Sequence, residues 1–295
     1  MQKITPFLWF DSQAEDAAKL YTSLFDNAKI EGVRRYGDAG PGPKGQVMTL
    51  TFQLEGRSFM ALNGGPIFAF TPAASLFVTC GTEKQVDTLW KRLSDGGKVL
   101  MELQKYPFSE KFGWLLDRFG LSWQLYLLSG AETAVAPFFM FVGKHFGKTE
   151  EAMKYWGSLF KDSAVGRVER YGAGEQGAVG TVKHARFTLA GQEFMAMDGD
   201  GEHAFTFTPA FSLFVDCKTQ QEVDGLWEKL SSGGSKGQCG WLEDKYGVSW
   251  QIVPTVLGEL LGDKDPARSQ RVMRAMLKMT KLDIEGLQQA GSSAV

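Results

Sequence analysis

The sequence predicts an α+β protein built as two tandem domains, each holding two βαβββ modules. Three observations carry this. First, seven blocks recur in the same order in both halves of the 295-residue chain. "TPFLWFD" (5–11) answers "APFFMFV" (136–142), "EDAAKLYTSLF" (15–25) answers "EEAMKYWGSLF" (150–160), and "VRRYG" (33–37) answers "VERYG" (168–172). "LEGRSFMALNG" (54–64) pairs with "LAGQEFMAMDG" (189–199), "FTPAASLFVTC" (70–80) with "FTPAFSLFVDC" (207–217), and "VDTLWKRLSDGG" (86–97) with "VDGLWEKLSSGG" (223–234). "GWLLDRFGLSWQ" (113–124) and "GWLEDKYGVSWQ" (240–251) close the series. Ordered self-similarity over such long units means duplicated structural domains. Second, β-prone runs bounded by glycine alternate with segments of helical spacing. Third, 43% hydrophobic and 22% charged residues describe an ordinary globular chain, long enough for about two domains. The boundaries fall at 1–129, 135–256 and a helical tail, 257–295.

The elements follow in order. "ITPFLWF" is a strand ended by Asp11 and Ser12. From Glu15 to Phe25, Ala18, Tyr21, Leu24 and Phe25 fall at helical spacing. "KIEGVRRYG", "VMTLTFQLEG" and "RSFMALNGG" are three short strands punctuated by glycine. "SLFVTC" opens the next module. The segment Gln85–Leu93 forms a helix with Val86, Leu89, Trp90 and Leu93 on one face, stopped by Asp95, Gly96 and Gly97. "GWLLDRFG" and "SWQLYL" finish as a hairpin-like pair. In the tail, Asp265 caps a helix that carries proline at its first position. Val272, Met273, Met276, Leu277 and Met279 mark its apolar face, with Arg268, Arg271, Arg274, Lys278 and Lys281 largely elsewhere. Such a helix docks on the body with a solvated basic face; a partner-binding element is the alternative. Asp283–Ala290 adds a last short helix.

Composition narrows the function. A net charge of −2 favours neither nucleic acid nor an anionic membrane as partner. No apolar run reaches a membrane span of ~18 residues, and the amino terminus meets acids too early for a signal peptide. Three cysteines, with Cys80 and Cys217 at equivalent repeat positions, fit buried reduced thiols and a cytoplasmic home. The loop "GDAGPGPKG" (37–45) opens no helix and is no phosphate cradle. Neither half offers the strand, glycine turn and helix of a dinucleotide-type fold, which argues against the usual S-adenosylmethionine site. Trp90 and Trp227 read as core, and Asp117 and Asp244 as turn caps, with general acid catalysis as the alternative.

The doubled module, with "TPFLWF" first and "GWLxDxxGxSWQ" last, resembles the vicinal oxygen chelate superfamily of glyoxalase I, extradiol dioxygenases and bleomycin-resistance proteins. More narrowly, "ITPFLWFD", "FMALNGGP", "LWKRL", "GGK" and "FGLSWQ" resemble the PhnB-like family, many of whose members are labelled 3-demethylubiquinone-9 3-methyltransferase. The resemblance covers nearly all of both copies, and the ending "RVMRAMLKMTKLDIEGLQQA" is similar to that of family members. It implies cupped mixed sheets with helices on the outer face. Because single-domain relatives commonly dimerise, it also implies a covalent pseudo-dimer, with further homodimerisation open.

In metal-using relatives the end strands of each module supply His, Gln and carboxylate ligands. The resemblance places Gln124 and Gln251 at such positions, with Ile4, Ser75, Val135 and Ser212 near the others. Neutral amides, a hydroxyl and aliphatics cannot displace the water of a divalent ion, and His145, His184 and His203 fall elsewhere. No metal or cofactor is expected. Strand alternation sends Ser122 and Gln124, with Ser249 and Gln251 in the second copy, into the cups. By the same parity, Leu8 and Phe10, with Phe139 and Phe141, are expected there, joined by Asn63 and Asp198. The expected function is metal-free binding of a small organic molecule in a mostly apolar pocket. An enzyme of the methyltransferase-labelled or another metal-independent lyase or transferase type is one alternative, and a ligand-free structural or regulatory module another. The long segment 98–112, shortened to 235–239 in the second copy, is expected to rim the first copy's cup.

Overall fold

The computed structural model describes residues 2–292; the outermost positions of the first domain and the tail, 1 and 293–295, lie outside them. The first half runs β1 (Ile4–Phe10), α1 (Ala14–Thr22), β2 (Ala28–Arg35), β3 (Val47–Leu54) and β4 (Arg57–Asn63). Its second module is β5 (Ala74–Cys80), α2 (Glu83–Leu93), β6 (Lys98–Tyr106), β7 (Ser109–Leu116) and β8 (Ser122–Leu127). The second half repeats this as β9 (Ala134–Phe141), α3 (Thr149–Leu159), β10 (Ala164–Arg170), β11 (Val182–Leu189) and β12 (Gln192–Asp198). It continues through β13 (Phe211–Cys217), α4 (Gln220–Ser231), β14 (Ser235–Lys236), β15 (Trp241–Glu243) and β16 (Ser249–Pro254). The tail is α5 (Thr255–Leu261), α6 (Pro266–Met276) and α7 (Ile284–Ser292).

Local chemistry explains the helix starts. The hydroxyls of Thr82 and Thr219 accept from the amides of Gln85 (3.3 Å) and Glu222 (3.2 Å), capping α2 and α4. Asp265 accepts from Ala267 N at 2.9 Å ahead of Pro266, as expected for α6. The segment 98–112, read as a loop from the sequence, is instead most of the β6–β7 hairpin.

The α+β class and the four modules are as expected, but the expected partnership of modules is corrected. The two modules of one half do not share a sheet. Sheet I runs β14-β15-β16-β13-β1-β4-β3-β2, so it joins the first module of the first half to the second module of the second half. Sheet II, β10-β11-β12-β9-β5-β8-β7-β6, joins the other two. The seams are antiparallel: β1 lies on β13 with Phe7 opposite Ser212, and β5 lies on β9 with Ser75 opposite Phe138. Each seam consumes the edge of a largely buried strand that would otherwise stand unpaired. Leu8, Phe10, Phe139 and Phe141 belong with Trp123, Trp156 and Trp250 to one continuous core between the helix-covered faces of the sheets.

Two buried carboxylates tie that core together. Asp117, in the turn before β8, accepts from Trp123 Nε1 (2.9 Å) and from Tyr21 Oη of α1 (2.7 Å). Asp244, before β16, accepts from Trp250 Nε1 and from Trp156 Nε1 of α3, both at 2.8 Å. Each also takes two backbone amides of its own turn, from Phe119 and Leu121 or from Tyr246 and Val248. Each cap therefore joins a helix over one sheet to a turn of the other. The turn-cap reading of both residues holds.

Candidate ligand-binding site

The face of sheet I away from the helices encloses a cavity of about 1200 Å³, slightly above the usual range for small-molecule pockets. Alternation along β1 points Thr5, Phe7 and Trp9 into it, with Met48, Met60 and Leu62 from β3 and β4 and Phe214 from β13. Trp241 of β15 meets Phe7 and Trp9 edge-on, each at 5.9 Å between ring centroids. The roof is the tail. Helix α5 leaves β16 on one side of the cup, and the carbonyl of Gly258 accepts from Arg34 Nη2 (2.7 Å) on β2, at the far edge of the sheet. Helix α6 adds Met273 and Met276 to the lining, followed by Leu277, and Gln270 Oε1 accepts from Ala39 N in the loop after β2. The apolar face predicted for the tail thus closes a cavity. Burial holds the Arg34 guanidinium below its ordinary pKa.

The floor is polar. Gln251 is buried and donates from Nε2 to Ser212 Oγ at 3.0 Å, and Ser249 stands beside Ser212 across β13 and β16. In sheet II, Gln124 donates to Ser75 Oγ at 2.8 Å, and Trp114 Nε1 donates to Ser122 Oγ at 2.8 Å. Gln124, Gln251, Ser122 and Ser249 therefore face away from the helices, as expected. Only Gln251 and Ser249 line this cavity.

Four other expected cup residues are corrected. Leu8, Phe10, Phe139 and Phe141 are at most 2% exposed and pack against the helices. The cup-facing residues of those strands are the odd-numbered Thr5, Phe7 and Trp9 in β1 and the even-numbered Ala136, Phe138 and Met140 in β9. Parity counted from the amphipathic β8 cannot be carried to strands that are apolar on both faces: β9 has no polar residue, and the single Thr5 of β1 is buried like its neighbours and marks a side only weakly. Asn63 and Asp198 are corrected too. Asn63 Oδ1 accepts from Ala14 N (2.8 Å) at the start of α1, and its Nδ2 donates to Val47 O (3.0 Å). Asp198 accepts from the Gly147 and Val182 amides and from the Thr149 hydroxyl (2.9, 2.8 and 2.7 Å). Both hold the helix of their own module, not the cup. The sequence reading missed Trp9, Trp241 and the tail methionines as lining. The signal available was Trp9 in register with Phe7 and the periodic methionines of the tail.

The open face of sheet II differs. Phe77, Phe112, Phe138, Met140 and Met195 pack there into a buried cluster, joined by Tyr106, Trp114 and Tyr126. Tyr106 and Phe112 come from the β6–β7 hairpin, so the 98–112 segment fills this face. His184 lies against Phe77 and Phe138, and desolvation lowers its pKa.

The donors do not fit a divalent metal. Gln251, Ser249 and Thr5 are neutral, the carboxylates in the lining, Glu31, Asp216 and Glu243, do not converge, and among the described residues no three His, Cys, Asp or Glu side chains gather to hold an ion. S-adenosylmethionine finds no glycine turn opening a helix in the lining, which comes from mixed strands and the tail helices. Among the described residues no helix is long and apolar enough to cross a membrane.

A family model described as 3-demethylubiquinone-9 3-methyltransferase matches residues 2–126 and again 133–253. No curated protein matches the chain. Among solved structures, the PhnB protein from Bacillus cereus is 50% identical over 43% of this chain and 100% of its own, with a TM-score of 0.42. Glyoxalase I from Zea mays is similar in fold at 9% identity, over 84% of this chain and 92% of that one, with a TM-score of 0.54. With both copies matched by the family model, the chain belongs to the 3-demethylubiquinone-9 3-methyltransferase family, as a tandem member whose fold is similar to that of glyoxalase I.

Proposed function

We propose that the chain binds one small, largely apolar organic molecule in the sheet I cavity without a metal ion. The observation that carries this is the cavity: aromatic and methionine walls, amide and hydroxyl groups of Gln251 and Ser249 on the floor, and a roof supplied by the tail. Apolar walls supply affinity and a few fixed polar groups supply orientation. The exchanged halves act as a covalent pseudo-dimer, and the three free thiols suit a reducing cytoplasm.

Titration of purified protein with naphthalene- and indole-sized compounds, followed by calorimetry and thermal shift, tests this. Saturable binding that Met60→Trp abolishes at unchanged melting temperature supports it. Absence of binding across the series refutes it. The family description favours a second reading, methyl transfer. Calorimetry with S-adenosylmethionine decides that one, and a flat titration counts against it.

A further inference from the structure

The two copies of the chain serve as each other's control, and at three positions the wall of the sheet I cavity departs from its twin. In sheet II the indole of Trp114 is tied to Ser122. Their counterparts in sheet I are Trp241 and Ser249. Trp241 instead turns edge-on to Phe7 and Trp9, and its Nε1 donates to no protein group among the described residues. Ser249, buried beneath it, is likewise released. Two residues past each tryptophan, on the same face of the strand, sheet II carries Leu116 and sheet I carries Glu243. Glu243 sits opposite Ser249 in the β15–β16 ladder and lines the cavity. Among the described residues it makes no ion pair or hydrogen bond through its side chain, although eighteen ion pairs involve other residues.

An unpaired carboxylate in a partly desolvated wall calls for a cation. The protein's own cation in the lining, Arg34, lies on β2 at the opposite edge of the sheet, where it donates to the tail. Two residues from the carboxylate on the same strand face stands the indole of Trp241, which meets Phe7 and Trp9 of the same lining, and the π faces of such rings attract positive charge. We infer that the chain has a single working site, in sheet I, and that this site takes an organic cation: an aromatic or alkyl body carrying a protonated amine directed at Glu243. In sheet II, Leu116 removes the charge, Ser122 occupies the indole, and packed side chains take the space.

This rests on the cavity reading above, and the experiment separates the two. Three probes of nearly one shape are titrated calorimetrically at pH 7: 1-naphthylmethylamine, 1-naphthylmethanol and 1-naphthoic acid. The expected result is one amine per chain, bound about tenfold tighter than the alcohol, with the acid weakest. Glu243→Gln, at a partly buried side chain that makes no hydrogen bond or ion pair among the described residues, should erase the preference for the amine over the alcohol. Equal binding of amine and alcohol, two equivalents per chain, or an amine preference that survives Glu243→Gln overturns the inference while leaving the cavity standing. If none of the three binds at millimolar concentration, and the wider apolar series also fails, the cavity reading falls with it.

Discussion

Asp244 offers the sharpest test of how the exchanged halves are held. Its side chain is 1% exposed and accepts four hydrogen bonds, from Trp156 Nε1 and Trp250 Nε1 at 2.8 Å and from the amides of Tyr246 (2.9 Å) and Val248 (3.0 Å). Replacing it with asparagine keeps one acceptor oxygen but turns an amide NH2 toward buried donors. Leaving one or two of them unsatisfied at about 1–3 kcal/mol each puts the loss at about 3–5 kcal/mol. The pH dependence is more discriminating. Burial raises the Asp244 pKa to about 6 against the opposing pull of its four donors. The folded protein then holds a proton that the unfolded chain has released. Stability from this group is therefore fully present below the unfolded value, near 3.8, and is lost as pH rises through about 6. A shift of about two units corresponds to about 3 kcal/mol. Urea unfolding followed by tryptophan fluorescence from pH 4 to 7 measures this. The gap between the native protein and Asp244→Asn should narrow by about 3 kcal/mol as pH rises. A gap that widens would show that the four donors outweigh desolvation and hold the carboxylate ionised, refuting the reasoning.

Other perturbations follow from the same packing. A Cβ at Gly64 would lie 2.2 Å from the Trp9 ring, whereas one at Gly199 meets the Met140 and Val142 side chains less closely, at 2.9 Å. Gly64→Ala should therefore cost about 1–3 kcal/mol and weaken ligand binding, while Gly199→Ala costs less; equal effects in denaturation and titration would contradict this. Cys239 lines the cavity and is only half-buried, whereas Cys80 and Cys217 are fully buried, with thiols pushed up to about 12 by desolvation. Maleimide should label one thiol per native chain, more slowly with ligand present, and three after denaturation. Mass spectrometry showing label on Cys80 or Cys217 in the native protein would count against the packing described.

The sequence by itself determined the repeat, the α+β class, the four modules and the polar residues facing the cups. Those features are local or periodic: glycine stops, helical spacing, and the Ser–Trp–Gln alternation of β8 and β16. Asp117 and Asp244 were legible as turn caps because their nearest partners are two and four residues away. Tertiary structure decided which modules share a sheet, since two nearly identical apolar edges can pair within a half or across halves and no single strand records the choice. It also decided the inner face of β1 and β9, where apolar residues dominate both sides, and the roles of Asn63 and Asp198, whose partners lie far along the chain. The difference between the two cups arose the same way. Near-identical floors became an open cavity under the tail in one sheet and a filled face under the β6–β7 hairpin in the other. What covers a strand face is set by distant segments, and only their packing reveals it.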